Sequence, residues 1–181
     1  MKERIKNMEK MKKLNFGAGL DIRKGYVNLD VLKLPGIDVV HDFNKFPYPF
    51  KNNEFNYVYT SHVLEHLDDL VKVMTELKRI SKKGAKILIR VPHFSCGVSY
   101  RDPTHKRLFS YFTFEYFTEE SFYELPKFKI INRKLNFTRW AFTPLNKIFN
   151  PIININPSIY ERFFCWILPC SEVLFELEVI K

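Results

Sequence analysis

Residues 14–19 read Leu-Asn-Phe-Gly-Ala-Gly, a short apolar strand that runs into two glycines one residue apart. Further β-rich runs follow at 26–31 (Tyr-Val-Asn-Leu-Asp-Val), at 37–42 and at 55–60, and each predicts a strand. Two glycines after a strand let the backbone approach a ligand closely and free its N–H groups as donors. In open α/β sheets, ligands bind at this carboxyl end of the strands. The first third of the chain therefore predicts a sheet edge that binds a ligand.

The next segment changes from strand to helix spacing. Apolar residues recur at helical intervals over 63–80, where the acidic pair 68–69 suits a helix start and Gly84 is expected to end the helix. Residues 85–91 then predict a central strand. Strands that alternate with a helix and polar loops indicate a parallel sheet, so the predicted fold class is α/β.

The second half of the chain is less regular. Residues 94–126 predict loop and helix, 128–135 predict a strand, and 173–180 predict a final strand. Between the last two strands, residues 138–170 combine prolines with a dense apolar content. That composition predicts an accessory helical insertion rather than a linker.

The apolar residues of this insertion are too many for a solvated loop. They complete the core, form a dimer face, or rest on a membrane beside Lys147 and Arg162, and we favour the first two. These residues are Ile148, Phe149, Ile152, Ile153, Phe163, Phe164, Trp166 and Ile167.

Composition bounds the class of protein. A chain of 181 residues with 46% hydrophobic and 27% charged residues predicts one globular domain and argues against disorder. The net charge of +9 suits acidic partners such as nucleic acid, anionic lipid or phosphorylated sugars, and a basic leader at 1–11 carries part of it. Three cysteines without a CxxC pair and an N-terminus without an apolar run predict a cytoplasmic protein without a signal peptide.

The spacing around the glycines excludes two phosphate-binding motifs. A dinucleotide fingerprint needs Gly or Ala where this chain has Ile22, and an acid about 20 residues on, whereas Asp30 comes 11 residues after Gly19. No Lys-Ser/Thr pair follows the turn, which excludes a P-loop. A nucleoside without phosphates fits better, because Asp30 can bind both ribose hydroxyls and Asp42 or the backbone of Phe43 can meet an adenine amino group.

These elements resemble the class I S-adenosylmethionine-dependent methyltransferases over roughly residues 12–135. The resemblance is carried by residues 14–19, 26–30, 41–43 and the segment Ser61-His62-Val63-Leu64-Glu65-His66-Leu67, which is similar to the VLEH signature of the small-molecule branch. It implies a Rossmann-like, doubly wound sheet of seven strands, mostly parallel with an antiparallel last strand. It also implies S-adenosylmethionine as the cofactor.

The resemblance implies a cofactor site along the ends of the first four strands. The two glycines and the pair 61–62 would face the methionine part, Asp30 the ribose hydroxyls and Asp42 the adenine. Two positions depart from the family pattern, since Asn15 replaces an acid and Asp21 replaces a third glycine. The implied cofactor-binding residues are Asn15, Phe16, Gly17, Ala18, Gly19, Asp30, Val31, His41, Asp42, Phe43, Ser61 and His62.

The loop after the predicted strand at 85–91 carries the catalytic candidates His93, Asp102 and His105. One hypothesis is a dyad in which Asp102 orients His105 as a general base, since a carboxylate fixes the tautomer of an imidazole. A metal held by the three side chains and a loop fixed by hydrogen bonds are the alternatives, and we predict no metal. Glu65 and His66 are expected to cap and fix a loop rather than to bind a metal or transfer protons.

The predicted function is S-adenosylmethionine-dependent methyl transfer to a small molecule or to a glycan or lipid-linked sugar. The last acceptor class comes from the segment 92–109, which resembles one in methyltransferases that we associate with such pathways. The cations Arg101, Lys106 and Arg107 suit an acidic or phosphorylated acceptor.

Two other functions stay open. The net charge motivates a nucleic-acid methyltransferase, and the departures at Asn15 and Asp21 motivate a non-catalytic S-adenosylmethionine-binding module. A homodimer is among the expected assemblies, and contact with a membrane or with nucleic acid is less expected.

Overall fold

One sheet organises the chain. The computed structural model describes residues 11–139 and 143–181, so the leader at 1–11 lies outside the described residues except for Met11. The strands form a seven-stranded sheet in the order β3-β2-β1-β4-β5-β7-β6, in which β1 to β5 pair in parallel and β7 is antiparallel to both neighbours. The predicted α/β fold class is confirmed. The strands are β1 (Lys13–Phe16), β2 (Val27–Asp30), β3 (Val39–Val40), β4 (Phe55–Ser61), β5 (Ser81–Pro92), β6 (Phe128–Asn136) and β7 (Glu172–Val179).

Helices occupy only part of the connections. The β1–β2 and β2–β3 connections, described throughout, consist of turns without a helix, so the carboxyl ends of these strands carry short loops. The described helices are α1 (Leu70–Ile80), α2 (Val98–Arg101), α3 (Asn146–Ile153) and α4 (Pro157–Ile159), with 3-10 turns at Leu64–His66, Thr113–Phe117 and Thr143–Leu145 and a π turn at Tyr160–Phe164.

The predicted helix over 63–80 is two pieces. A 3-10 turn at Leu64–His66 is followed by extended backbone, and α1 begins only after Asp69, whose carboxylate accepts a hydrogen bond from the Lys72 N–H at 3.0 Å. An Asp at this position satisfies one of the free N–H groups of a helix start. The acidic pair 68–69 therefore precedes a helix start, as expected. The helix covers only the second part of the periodic segment 63–80.

Gly84 does not end that helix, contrary to the expectation. The helix α1 ends at Ile80 and β5 begins at Ser81, four residues before the predicted strand start. Ser81 pairs with Phe55 of β4, and a register shift follows between these positions and Tyr57. Gly84 lies inside β5 with a φ of +74°. Pairing with β4 makes β5 begin earlier than predicted, because strand pairing depends on residues that are distant in sequence.

The core lies on one face of the sheet. The buried face of α1 (Leu70, Val73, Met74, Leu77 and Ile80) packs in one cluster with strand residues such as Phe16, Val58 and Ile87. Each such side chain contributes about 1.5–3 kcal/mol when it is fully buried. This packing fixes the strands whose carboxyl ends carry the site.

The insertion reaches the carboxyl edge of the sheet, because β6 runs in the same direction as β5 and the chain leaves it at that edge. The predicted short helices are present in its described part, as α3, α4 and the π turn. Of the two favoured alternatives, completion of the core is wrong for most of its apolar residues, and the dimer face stays a prediction. Ile153 is 1% exposed, whereas Trp166 is 64% and Ile167 is 79% exposed. Ile148, Ile152, Phe163 and Phe164 are also exposed.

Among residues 11–139 and 143–181, no helix has both the length and the apolar content that crossing a bilayer requires.

Candidate functional site

The glycine turn lies directly after β1. The N–H groups of Gly17 and Ala18 donate to the Leu29 carbonyl at 2.9 and 3.0 Å, which ties the turn to β2. Gly17 has a φ of +76°, and a Cβ there would lie 2.1 Å from Cγ2 of Val63. Gly19 has a φ of +49° and faces open space instead. The first glycine is thus required by packing, and the second leaves room for a ligand.

Asp30 joins the ends of β1 and β2. Its Oδ2 accepts a hydrogen bond from the Gly19 N–H at 2.8 Å, and its Oδ1 accepts one from the Leu32 N–H at 2.9 Å. The side chain is almost buried. A carboxylate has about four acceptor positions, so two remain after these bonds. The geometry fits an acid that both holds the turn and accepts from neighbouring hydroxyls.

The side chain of Asn15 also holds the loop that follows β1. Its amide nitrogen donates to the Asp21 carbonyl at 2.7 Å and to Oδ1 of Asn28 at 3.0 Å. The same Asn28 oxygen accepts from the Arg23 N–H at 2.9 Å. Asn15 and Asp21, the two positions that depart from the family pattern, are therefore joined by one hydrogen bond. This bond fixes the loop, which no helix follows before β2.

The candidates after β2 and β3 divide into core and edge. The rings of Phe16 and Phe43 are buried, with centroids 4.4 Å apart. Val31 is half exposed at the edge. Asp42 accepts from the Asn44 N–H at 3.0 Å, and Nε2 of His41 lies 2.8 Å from the Lys45 carbonyl. None of these residues lines the cavity beside the glycine turn, so their contacts with a ligand stay predictions.

A cavity of about 470 Å³ opens beside the glycine turn. It brings Asn15, Gly17, Ala18 and Ser61 together, as expected for one site. The cavity is also lined by residues that no sequence motif indicated, namely Leu20, Arg23, Tyr59, Arg90 and Arg139. The Arg23 guanidinium stacks 3.5 Å from the Tyr59 ring centroid. Ser61 Oγ is buried without a hydrogen-bond partner, and it is therefore available to a ligand.

A buried ionic cluster lies behind this cavity, at the ends of β4, β5 and β7. Arg90 binds both carboxylate oxygens of Glu172, at 2.6 and 3.2 Å, and Asn136 donates to the same carboxylate at 2.9 Å. Nε2 of His62 lies 3.3 Å from Glu172. Burial raises the pKa of Glu172, but bonds from His62, Arg90 and Asn136 outweigh it and lower the pKa to about 2. Glu172 is therefore a permanent anion that orients Arg90 toward the cavity.

His62 belongs to this cluster as well as to the predicted cofactor site. Its backbone has a φ of +57°, and its N–H donates to the Arg90 carbonyl at 2.8 Å. Burial alone would lower the pKa of His62, but contacts with Glu172 and Glu65 raise it above its usual range. The ring does not line the cavity.

His93 is held on all sides. Its ring is fully buried, with Nδ1 2.8 Å from Ser95 Oγ and Nε2 3.0 Å from Glu161 Oε1. Glu161 also accepts from Ser110 Oγ at 2.7 Å and from the Tyr111 N–H at 2.6 Å. This arrangement docks the insertion onto the loop after β5 and favours a structural role. The assignment of His93 as a base stays a prediction.

His105 and Asp102 do approach each other. Nε2 of His105 lies 3.7 Å from Oδ2 of Asp102, an ion-pair distance rather than a hydrogen bond. Asp102 instead accepts from the Thr104 hydroxyl at 2.6 Å, and that hydroxyl lies 2.8 Å from Nδ1 of His66. His66 and His105 lie 39 positions apart in the sequence, and the structure brings their rings to a centroid distance of 4.7 Å.

A second cavity of about 690 Å³ lies elsewhere. It is lined by Phe112, Tyr116, residues 118–122 and the start of β6. Since β6 runs parallel to β5, its start lies at the edge of the sheet opposite the glycine turn. Although this cavity is the larger of the two, it lies far from the predicted site residues, so we do not assign the functional site to it.

A family model described as a methyltransferase domain matches residues 8–89. No curated protein matches the chain. The solved structures that match it are similar in fold. They include a SAM-dependent methyltransferase from Archaeoglobus fulgidus, at 18% identity and a TM-score of 0.59, which covers 98% of this chain and 90% of that one. They also include a putative sarcosine dimethylglycine methyltransferase from Galdieria sulphuraria, at 13% identity and a TM-score of 0.61, with coverages of 97% and 83%. A putative methyltransferase from Bacillus halodurans has 15% identity, a TM-score of 0.59, and coverages of 99% and 98%.

Proposed function

We propose that the chain is a class I S-adenosylmethionine-dependent methyltransferase and that its acceptor is a hydroxyl of a small glycan carried on a lipid. The methyltransferase-domain model that matches residues 8–89 supports the first part. The assignment to the VLEH-type branch stays a prediction. The proposal rests on one observation, which is the exposed apolar surface of the insertion beside the loop that follows β5.

The described residues fit the cofactor. The cavity beside Gly17 has the unpartnered hydroxyl of Ser61 and the guanidinium groups of Arg90 and Arg139 on its wall, a donor set that suits the carboxylate of the methionine part. Asp30, at the end of β2, retains acceptor capacity for the ribose hydroxyls. The cofactor supplies an electrophilic methyl group on a sulfonium.

The protein's part in methyl transfer is alignment. An in-line displacement needs the acceptor oxygen held opposite the sulfur, and positioning of this kind supplies much of the rate enhancement. The loop at 93–107 follows β5 at the same sheet edge as the glycine turn, so it is placed to hold the acceptor. His105 is the candidate group that receives the hydroxyl proton, with Asp102 at 3.7 Å from its ring.

The insertion adds an apolar surface next to this loop. The Trp166 ring packs 5.7 Å from Phe94 and 6.5 Å from Tyr100, centroid to centroid, and remains 64% exposed. Ile155 and Ile167 are 81% and 79% exposed. An apolar surface of this kind marks a site of contact with a partner or a lipid surface.

The charge of the same surface favours an anionic lipid over a second copy of the chain. Lys147 and Arg162 are exposed within the insertion, whereas its one carboxylate, Glu161, is turned inward onto His93. In a two-fold dimer this surface would meet its own copy, which brings cations but no exposed carboxylate of the insertion to the interface. An anionic bilayer surface matches both the cations and the apolar side chains.

The test measures methyl transfer and vesicle binding together. The purified protein is given methyl-labelled cofactor with lipid-linked glycans in anionic vesicles, the released glycans, RNA or protein. We expect label in the lipid-linked glycan and flotation of the protein with anionic vesicles. The variant with Ile155, Phe163 and Ile167 changed to Ser should bind vesicles about 100-fold more weakly, if each side chain contributes about 1 kcal/mol. It should still methylate the released glycan.

Phe122→Ser is the matched control, because Phe122 is 86% exposed but lies away from the insertion. Label in RNA would instead establish a nucleic-acid methyltransferase, and cofactor binding without label in any fraction would establish a non-catalytic module. A concentration-dependent dimer that does not float would assign the surface to a second copy.

A further inference from the structure

Three potential metal ligands meet where the loops after β4 and β5 converge. Glu65, His66 and His105 each place one ligand atom within 4.8 Å of the other two, the one such group of three found among the described residues. Glu65 and His66 belong to the 3-10 turn that follows β4, and His105 comes from the loop after β5. The Lys106 N–H donates to the Glu65 carbonyl at 2.8 Å, which holds the two loops together.

Glu65 is buried without adequate partners. Its side chain is fully buried, and neither carboxylate oxygen accepts a hydrogen bond of good geometry. Oε1 lies 3.3 Å from Nδ1 of His62, which provides charge but not a directed bond. A buried carboxylate is costly unless it is paired or coordinates a metal. Glu65 has the His62 ring beside Oε1 but no hydrogen bond on Oε2, so that oxygen can take a cation.

The two imidazoles are oriented by a common set of side chains. The Thr104 hydroxyl lies 2.8 Å from Nδ1 of His66 and donates to Asp102 Oδ1 at 2.6 Å. Oδ2 of the same Asp102 lies 3.7 Å from Nε2 of His105. Nδ1 of His105 is buried and has no partner. Metal-binding histidines are typically oriented by a hydrogen bond from one ring nitrogen to a hydroxyl or carboxylate. His66 has such a partner in Thr104, and the buried Nδ1 of His105 is left for a metal.

We propose that Glu65, His66 and His105 bind one divalent transition-metal ion, and that its open positions take the oxygen of the acceptor hydroxyl. Two imidazoles and one carboxylate suit Zn²⁺, Mn²⁺, Fe²⁺ or Co²⁺. The ligand set differs from the sequence-based alternative of His93, Asp102 and His105. Asp102 accepts from the Thr104 hydroxyl and lies at ion-pair distance from His105, and Glu161 and Ser95 occupy the ring nitrogens of His93.

The second half of the proposal rests on the proposed function. A metal-bound hydroxyl loses its proton more readily, and here that proton passes to water. The oxygen then forms a bond to the cofactor's methyl carbon while the carbon–sulfur bond breaks, and the bonding pair leaves on sulfur as a neutral thioether. His105 acts in this scheme as a metal ligand, which makes the general-base hypothesis for the same residue a distinguishable alternative.

Cobalt binding tests the site without any acceptor. The full chain is titrated with Co²⁺, and visible absorption reports the coordination. We expect one Co²⁺ per chain with intense bands of low coordination number. His66→Ala and Glu65→Gln should abolish those bands. Thr104→Val should weaken Co²⁺ binding by roughly 10- to 100-fold, the usual effect of losing a group that orients a ligand.

His41→Ala is the matched control, because His41 is a histidine outside the cluster and should leave the Co²⁺ bands unchanged. Thermal melts identify any variant that fails to fold, and Thr104→Val keeps the test decisive because Thr104 is exposed. Equal Co²⁺ affinity in the wild type, His66→Ala and Thr104→Val would overturn the site. Cobalt bands without methylation of a lipid-linked glycan would leave the site standing and remove the proposed acceptor.

Discussion

The carboxyl edge of the sheet has two halves that are built in opposite ways. The cofactor half consists of the ends of β1, β2 and β3 with their loops, and hydrogen bonds between near neighbours such as Gly19 and Asp30 hold it. The acceptor half consists of the ends of β4, β5 and β7 with the 93–107 loop and the insertion. It is held by buried ionic contacts between distant residues, such as His62 with Glu172 and His93 with Glu161.

Under the proposed function, the difference follows from what each half would bind. Backbone N–H groups and one carboxylate suffice for a nucleoside, and short turns position them without a helix. Aligning an acceptor oxygen requires side chains from several strands, whose charges must be fixed in a dry environment. The following substitutions test whether the two halves can be disturbed separately.

The largest expected effect is on turnover, in the acceptor half. If His105 takes the acceptor proton, His105→Ala should lower the rate of methyl transfer by about 10²- to 10⁴-fold, and loss of a metal ligand should lower it as well. Cofactor affinity should stay unchanged in either case. Single-turnover labelling and calorimetric titration of the cofactor measure the two quantities. A folded variant with wild-type turnover would remove His105 from the mechanism. An equal loss of cofactor affinity would show that the cofactor half and the acceptor half cannot be disturbed separately.

The ionic cluster of the acceptor half should respond to acid. The pKa of Glu172 is about 2 in the folded chain against an ordinary value of 4.5, so its contribution to stability is complete above pH 4.5 and is lost as the pH falls toward 2. The loss is on the order of 3 kcal/mol. Urea unfolding at pH 5 and pH 2.5 should show it in the wild type.

Glu172→Gln supplies the comparison for that measurement. The variant keeps the shape of the side chain but cannot titrate, so its stability should fall less between the two pH values. Identical pH dependence in the two proteins would show that Glu172 is not anionic at pH 5 or is paired equally in the unfolded chain.

Asp30→Ala is the corresponding test of the cofactor half. A hydrogen bond to a charged acceptor contributes roughly 1.5–3 kcal/mol, so cofactor affinity should fall by about 10- to 150-fold. The Co²⁺ bands proposed for the acceptor half should not change. Calorimetry that gives a loss below about threefold would mean that Asp30 only fixes the turn through Gly19 and Leu32.

The smallest expected effect is on the free energy of unfolding, and it compares a glycine of the cofactor half, Gly19, with one of the acceptor half, Gly97. Gly19 has a φ of +49°, which disfavours a side chain, whereas Gly97 has a φ of −56°, and an added Cβ meets nothing within 4 Å at either position. Gly19→Ala should therefore lower the free energy of unfolding by about 1 kcal/mol. Gly97→Ala should leave it unchanged or raise it slightly. Equal effects in denaturant titrations would contradict the conformational reason given for the turn.

The sequence predicted the strands and the glycine turn of the cofactor half because their signals are local. The strand–glycine–glycine order and the acid that ends the next strand lie within residues 14–30, and parallel pairing of β1 with β2 brings them together. The sequence could not predict the guanidinium groups of Arg90 and Arg139 in the same cavity. These come from β5 and from beyond β6, and only the strand order 1-4-5-7 places them beside the turn.

The sequence by itself determined the sheet, the glycine turn and the acid at the end of β2, because periodicity and backbone freedom are properties of neighbouring residues. Only the tertiary structure decided how the acceptor half is assembled. His62 and Glu172 lie 110 positions apart, and Glu65 shares a site with His105 only because two loops converge. The exposure of the insertion was likewise decided by packing, since an apolar residue has the same sequence signal in a core and on a surface.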